Sequence, residues 1–248
     1  MKQKHPSECA FTRLELLASL AAVFLIACVT LPALGGAWNR SEQGTCLNNL
    51  RQIGRAYAEW GTGHDGQVPW CVSGPQGGTW PNEGLTSSLP TPRSYAGNPW
   101  FQFSWISNEL GSPKILVCPA DPKRRPAQDF SASPEGGLLH VSRRNDAISY
   151  SVGVDVQVIS PTFLLAADRD LRVDSLGHCS LGFSLVASAN WDTVSYQLSP
   201  NVAWTNELHA ASGNCLYLDG HAEQVPQDKL ALRFRFGDDN GSIHFLIP

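Results

Sequence analysis

A chain of 248 residues with a formal net charge of −4 and a pI near 5.9 lacks the basic surface that nonspecific nucleic-acid binding requires, so nucleic acid is not expected as a partner. Only 16% of the residues are charged, while Gly and Pro number 22 and 17. That balance suits a loop-rich extracytoplasmic domain better than a helical bundle.

In chain order, the first predicted element is apolar. Leu16 to Leu34 carries no charge, and about 20 apolar residues are what a helix needs to cross a bilayer. Glu15 stands at the lip of this run, where a carboxylate is costly without a partner, which makes it a functional candidate. Lys2 and Lys4 precede the run and the next basic residue beyond it is Arg40. This asymmetry predicts a single pass through the inner membrane, with the N-terminus cytoplasmic and the remainder periplasmic or otherwise outside.

Past Pro32 the helix is expected to continue to about Trp60. Leu47, Leu50, Ile53, Tyr57 and Trp60 recur at intervals of three and four, while Asn48, Asn49, Arg51, Gln52, Arg55 and Glu59 are predicted to face the other way. Gly61-Thr62-Gly63 then stops it. From Trp70 to Trp105 the composition predicts long ordered loops, with a short helix around Phe103 to Leu110. The chain's eight Trp are read as buried anchors rather than sugar platforms, since Trp is highly buried on average. Lys123-Arg124-Arg125, flanked by prolines, reads as a solvated charge run.

The second half alternates like a sheet. Strands are predicted at Ser149–Gln157, Thr162–Ala167, Gly182–Ala187, Asn214–Leu218 and Ala222–Val225. Asp219-Gly220 signals a type I′ hairpin turn, and Asn240-Gly241 a second hairpin joining Leu232–Phe236 to Ser242–Ile247. The expected fold is therefore α+β: a long N-terminal helix packed on a C-terminal antiparallel sheet, with long loops. In domain terms this gives 1–10 as a leader, 11–62 as the transmembrane and amphipathic helix, and 63–248 as the globular part.

Cys9 falls in the leader and Cys28 in the apolar run, so Cys46, Cys71, Cys118, Cys179 and Cys215 lie where disulfides persist. The preferred bridge is Cys46 with Cys118, one on the helix and the other in a Pro-rich loop expected to cover it; the other reading makes each a small buried apolar residue. No CxxC pair supports a structural zinc site. His209, Asp219 and His221 form the sharpest polar set, with ligand types that suit a metal. Asp219 is already explained by the turn, however, and no metal is assigned. Gly237-Asp-Asp-Asn-Gly241 offers oxygens for calcium, but Phe236 would occupy the first ligand position of an EF-hand, so a polar turn is favoured. The sequence lacks a Gly-x-Ser-x-Gly elbow, a P-loop and an HExxH helix, and no catalytic residue is assigned; the chain is not expected to be an enzyme.

Several stretches carry a family resemblance. Ala10-Phe11-Thr12-Arg13-Leu14-Glu15-Leu16-Leu17 resembles the cleavage and methylation signal of type IV prepilins and type II secretion pseudopilins. The resemblance implies a cut between Ala10 and Phe11 by a prepilin peptidase, which also methylates the new N-terminus. Counted from Phe11, Glu15 is the fifth residue, where the family keeps its assembly glutamate, and Pro32 the twenty-second, where pilin helices kink. Ala10 stands where the family usually has Gly, and Arg13 where it usually has an apolar residue. Cys46–Tyr57, His64–Pro69, Asn108–Asp121, Ser149–Asp155 and Leu164–Arg169 resemble a prepilin-like group abundant in planctomycete and verrucomicrobial bacteria. That group is named for a His, nine residues, then Asp-Gly; His209, Asp219 and Gly220 have this spacing. The resemblance implies a pilin-like fold and a secretion or pilus-like assembly, with the bilayer and other pilin-like subunits as partners.

Three other readings of the N-terminus compete. A plain signal anchor would need neither Glu15 nor the Phe11 boundary. A cleaved secretory signal is disfavoured by the length of the apolar run. Leu25-Ile26-Ala27-Cys28 resembles a lipobox, which would make Cys28 a lipidated N-terminus, although the apolar run continues past it. Such readings imply a solitary anchored binding or surface protein.

Overall fold

The computed structural model describes residues 12–79, 98–154, 162–173, 186–189, 191–192, 197–198, 202–233 and 243–248. The cleavage site at Ala10 and Phe11, and the calcium candidate at 237–241, lie outside them. The chain divides into two units, Met1–Ser41 and Glu42–Pro248. One helix, α1 (Arg13–Thr62), contributes to both and passes through Pro32 without interruption.

In the first unit, Arg13–Thr30 is long and apolar enough to cross a membrane, and none of it is buried. Leu14, Leu17, Val23, Phe24 and Val29 are all exposed. Its start is a capping box, a motif in which the residue before the helix and the third helical residue satisfy each other's backbone. Thr12 N donates to Glu15 Oε2 at 2.8 Å and Thr12 Oγ1 donates to the same oxygen at 2.9 Å. In return, Glu15 N donates to Thr12 Oγ1 at 3.3 Å.

The second unit begins with the amphipathic half of α1. Leu50, Ile53, Tyr57 and Trp60 are buried as their spacing predicts. Each large apolar side chain buried this way contributes roughly 1.5–3 kcal/mol. Asn49 departs from the expected polar face: it is 8% exposed, and its Nδ2 donates to Val117 O at 3.2 Å and Tyr150 Oη at 3.3 Å. An amide can lie on the buried stripe because the loop carbonyl and the phenol satisfy it. The helix ends where Asp65 (φ 53°) and Gly66 (φ 74°) turn left-handed and Gly66 N returns to Gly61 O at 2.8 Å. The expected helix at 103–110 is two short pieces, α2 (Pro99–Ser104) and α3 (Ser107–Leu110).

Ten strands are described: β1 (Tyr150–Gly153), β2 (Leu164–Asp168), β3 (Leu171–Val173), β4 (Val186–Ala189), β5 (Trp191–Asp192), β6 (Gln197–Leu198), β7 (Val202–Trp204), β8 (Ser212–Tyr217), β9 (Ala222–Pro226) and β10 (Ile243–Leu246). Six form an antiparallel sheet in the order β4-β10-β1-β2-β8-β9, while β3–β7 and β5–β6 are two-stranded ribbons. Tyr150, Val152, Ala166 and Leu216 share a core with α1. Leu164, Ala167, Cys215 and Tyr217 form a second core with Trp204 and with Leu230 of α4 (Gln227–Arg233). With apolar cover on both faces, β2 is buried along its whole length, which explains its unbroken Leu-Leu-Ala-Ala run.

Gly54 sets how closely helix and sheet approach. A Cβ there would lie 2.9 Å from Leu216 Cδ1 and 3.5 Å from Gly220 Cα. The Asp219-Gly220 hairpin forms, but not as type I′. Of its two residues only Gly220 has positive φ (82°), and Gly220 N bonds Tyr217 O at 2.9 Å. This is a type I turn closed by a left-handed Gly, the three-residue alternative. Of the predicted C-terminal hairpin, the Asn240-Gly241 turn and residues 234–236 lie outside the described residues; Leu232 lies in α4 rather than a strand, and β10 pairs with β1 and β4.

Candidate functional site

At one end of the sheet four segments converge: Cys46 of α1, the loop 116–125, the residues 168–170 that leave β2, and the loop 205–211. Cys46 and Cys118 form a disulfide, as their placement predicts, with Cα atoms 5.0 Å apart. Both are fully buried. The link closes a loop spanning a sequence separation of 72 and ties the helix to the Pro-rich segment. Cys215 is instead a buried thiol on the opposite face; burial pushes its pKa well up, so it is not a reactive nucleophile.

His209 lies over this disulfide. It is 4% exposed, with Nε2 3.4 Å from Cys118 Sγ and 3.6 Å from Asp168 Oδ2. Asp168 is fully buried; its Oδ2 accepts from Asn214 N at 2.7 Å and Asn214 Nδ2 at 2.9 Å, whereas its Oδ1 has no partner. Burial, reinforced by the charge of Asp170, raises the Asp168 pKa well above that of an ordinary carboxyl despite the Asn214 bonds. Burial also lowers His209, against the pull of Glu42 and Asp121. Burial thus works against the charged form of both partners.

Beside it sits a built ion-pair hub. Asp121, 4% exposed, receives Arg169 Nε at 2.7 Å, Arg169 Nη2 at 2.8 Å, Ser149 Oγ at 2.8 Å and Lys123 N at 3.0 Å. Burial alone would raise its pKa, but the hydrogen bonds from Arg169 and Ser149 and the Arg169 charge carry it below the ordinary value. Arg169 Nη1 also reaches Glu207 at 3.1 Å, and Glu207 takes Lys123 Nζ at 2.7 Å. The predicted solvated run is thus corrected in part. Arg124 bonds Asp146 at 2.8 Å and the Pro248 carbonyl at 2.9 Å, while Arg125 is exposed.

The His-Asp-Gly constellation is not one site. His209 belongs to the disulfide, whereas Asp219 accepts from His221 N at 2.8 Å within its own turn. His221 is exposed, with its ring stacked on Tyr217 at 5.9 Å. Comparison with family models, with curated proteins and with solved structures finds no match. The site therefore has to be read from its own chemistry. Asp121, Asp168, Arg169, Glu207 and Asn214 were not singled out as site residues from the sequence. The available signal was the abrupt end of an apolar strand in Asp168-Arg169-Asp170, downstream of Cys118-Pro-Ala-Asp121.

Asp170 carries a testable consequence. It is 2% exposed, and neither carboxyl oxygen meets hydrogen-bonding geometry. Burial pushes its pKa from 3.8 up to about 7, although the N–H groups of Asp170 and Leu208 and the Arg169 charge pull the other way. Unfolded, the group ionises near 3.8; folded, it keeps its proton to about 7. The folded state thus binds more protons across that window, and stability falls as pH rises through it before levelling off. At 1.36 kcal/mol per pKa unit the loss is at most about 4 kcal/mol. Asp170→Asn should match the parent near pH 4 and melt at higher temperature than it at pH 8. Parallel melting curves across this range would remove Asp170 as the cause.

Proposed function

We propose that this chain is a membrane-inserted, pilin-like structural subunit of a type II secretion or type IV pilus-like assembly, processed between Ala10 and Phe11. The observation that carries the reading is α1 itself. One helix joins a membrane-length apolar half to an amphipathic half whose stripe lies in the core of an antiparallel sheet domain. The N-terminal signal and the positive charges before it support a cytoplasmic N-terminus and an extracytoplasmic domain. In assembly, Glu15 pairs with the new amine on Phe11 of a neighbouring subunit, because two opposite charges stranded in a bilayer neutralise each other best by contact.

The capping box supplies a competing account. Thr12 already gives Glu15 two hydrogen bonds within its own chain, which favours a solitary anchored surface protein in which Glu15 only starts the helix. Glu15→Gln separates the two, since glutamine serves a capping box but carries no charge. Under the assembly reading both Glu15→Gln and Glu15→Ala leave the protein cleaved, with N-methylated Phe11 at its start by mass spectrometry, but abolish co-purification with other subunits. Normal co-purification of Glu15→Gln would defeat the assembly role; an intact Met1 or an acylated Cys28 would defeat the processing.

A further inference from the structure

The residues around His209 bring together three metal-ligand atoms, two of which are joined to each other. Cys46 Sγ, Cys118 Sγ and His209 Nε2 all lie within 4.8 Å of one another, and all three residues are buried. We propose that reduction of the Cys46–Cys118 bond converts this junction into a closed site for a thiophilic divalent cation, zinc above all, held by both sulfurs and His209 Nε2.

The geometry is close to what such a site needs. Zinc takes sulfur at about 2.3 Å and imidazole nitrogen at about 2.0–2.1 Å in a tetrahedron, so the sulfur-to-nitrogen edge is about 3.5 Å. Cys118 Sγ and His209 Nε2 already stand 3.4 Å apart. The sulfur-to-sulfur edge would be about 3.8 Å. Two unbonded sulfurs separate to about that distance in any case, so reduction itself opens the space the ion requires. Two thiolates and one dication sum to zero charge, which a buried site tolerates far better than a net charge. The fourth position suits a water, and the Asp168 carboxyl, whose Oδ2 lies 3.6 Å from His209 Nε2, borders the site as an acceptor for that water.

The chemistry balances with a dithiol as reductant. It gives two electrons and two protons to the Cys46–Cys118 bond, which breaks to two thiols, while the reductant closes its own disulfide. Zinc then binds both sulfurs and releases their two protons to solvent. A covalent link and a metal link are thus alternatives at one junction, chosen by the redox conditions that prevail before the fold closes over the two sulfurs.

The experiment uses the full chain in detergent, either kept oxidised or reduced by a dithiol or phosphine in denaturant, where both sulfurs are accessible, and refolded under reductant; each is titrated with cobalt(II) and then zinc. The expected result for reduced protein is one cobalt per chain, with the sulfur-to-metal charge-transfer band of thiolate ligation and the visible bands of a tetrahedral site, both displaced by zinc. Oxidised protein should show neither, and it serves as a folded control without mutation. His209→Ala should weaken cobalt binding at least tenfold, while Cys215→Ser should leave it unchanged. No thiolate band in reduced protein, the same band in His209→Ala, or its loss in Cys215→Ser would overturn the site.

Discussion

Cys46→Ala combined with Cys118→Ala is expected to cost the Glu42–Pro248 unit about 4 kcal/mol, the loop-closure value for a cross-link spanning roughly 70 residues. The bond joins α1 to the loop that begins the hub, across a sequence separation of 72. Without it the unfolded chain regains the freedom of that whole segment, and His209 loses the sulfur it packs against. Denaturant unfolding followed by tryptophan fluorescence is the direct measurement, since Trp60, Trp70, Trp100 and Trp204 are buried in this unit. An unchanged midpoint in the oxidised parent and the double variant would show that core packing alone holds helix and loop together.

Asp121→Ala should be of similar size, about 3–5 kcal/mol, because it leaves a largely buried guanidinium without its bidentate partner. Glu207 offsets little of this, being more exposed and already engaged by Lys123. The loss is expected to depend on pH in a defined direction. The folded pKa of Asp121 lies below its ordinary 3.8, so its contribution is complete above that pH and disappears as pH falls through the folded value. Parent and variant should therefore converge in acid. The replacement Asp121→Leu with Arg169→Met tests the mechanism: removing both charges should recover much of the loss, since what destabilises is one buried charge left alone. A double variant as unstable as Asp121→Ala would instead assign the cost to the Ser149 and Lys123 bonds.

The legible parts of this fold are those written in local periodicity. The α1 stripe follows from spacing, and the Cys46–Cys118 link from placing one cysteine on that helix and the other in a Pro-rich loop expected to cover it. The strands β1, β2, β8 and β9 fall within a few residues of where alternation puts them. Asn49 was misplaced because helical phase alone cannot tell that Val117 O and Tyr150 Oη would meet its amide. The turn at Asp219-Gly220 was legible in position but not in type, since the pair fits more than one geometry and the flanking register decides. The ion-pair hub was hidden for a different reason. Asp121, Arg169 and Glu207 come from three segments far apart in sequence, each carrying ordinary surface residue types, and only the sheet brings them together. The same holds for the junction of His209 with Cys118, 91 residues apart.

The Cys46–Cys118 link also bears on how the protein is made. Under the proposed topology, with the domain outside, the chain presents Cys46 and then Cys71 to an oxidising compartment before Cys118 arrives. The native pairing is therefore not the first one available. Oxidation either waits for the loop or is corrected by thiol–disulfide exchange, which requires an accessible sulfur. Once His209 and the strands around it have closed over the bond, neither Cys46 nor Cys118 is exposed. Under that topology, pairing errors are repaired before the last third of the chain folds, and any disulfide isomerase has to act early.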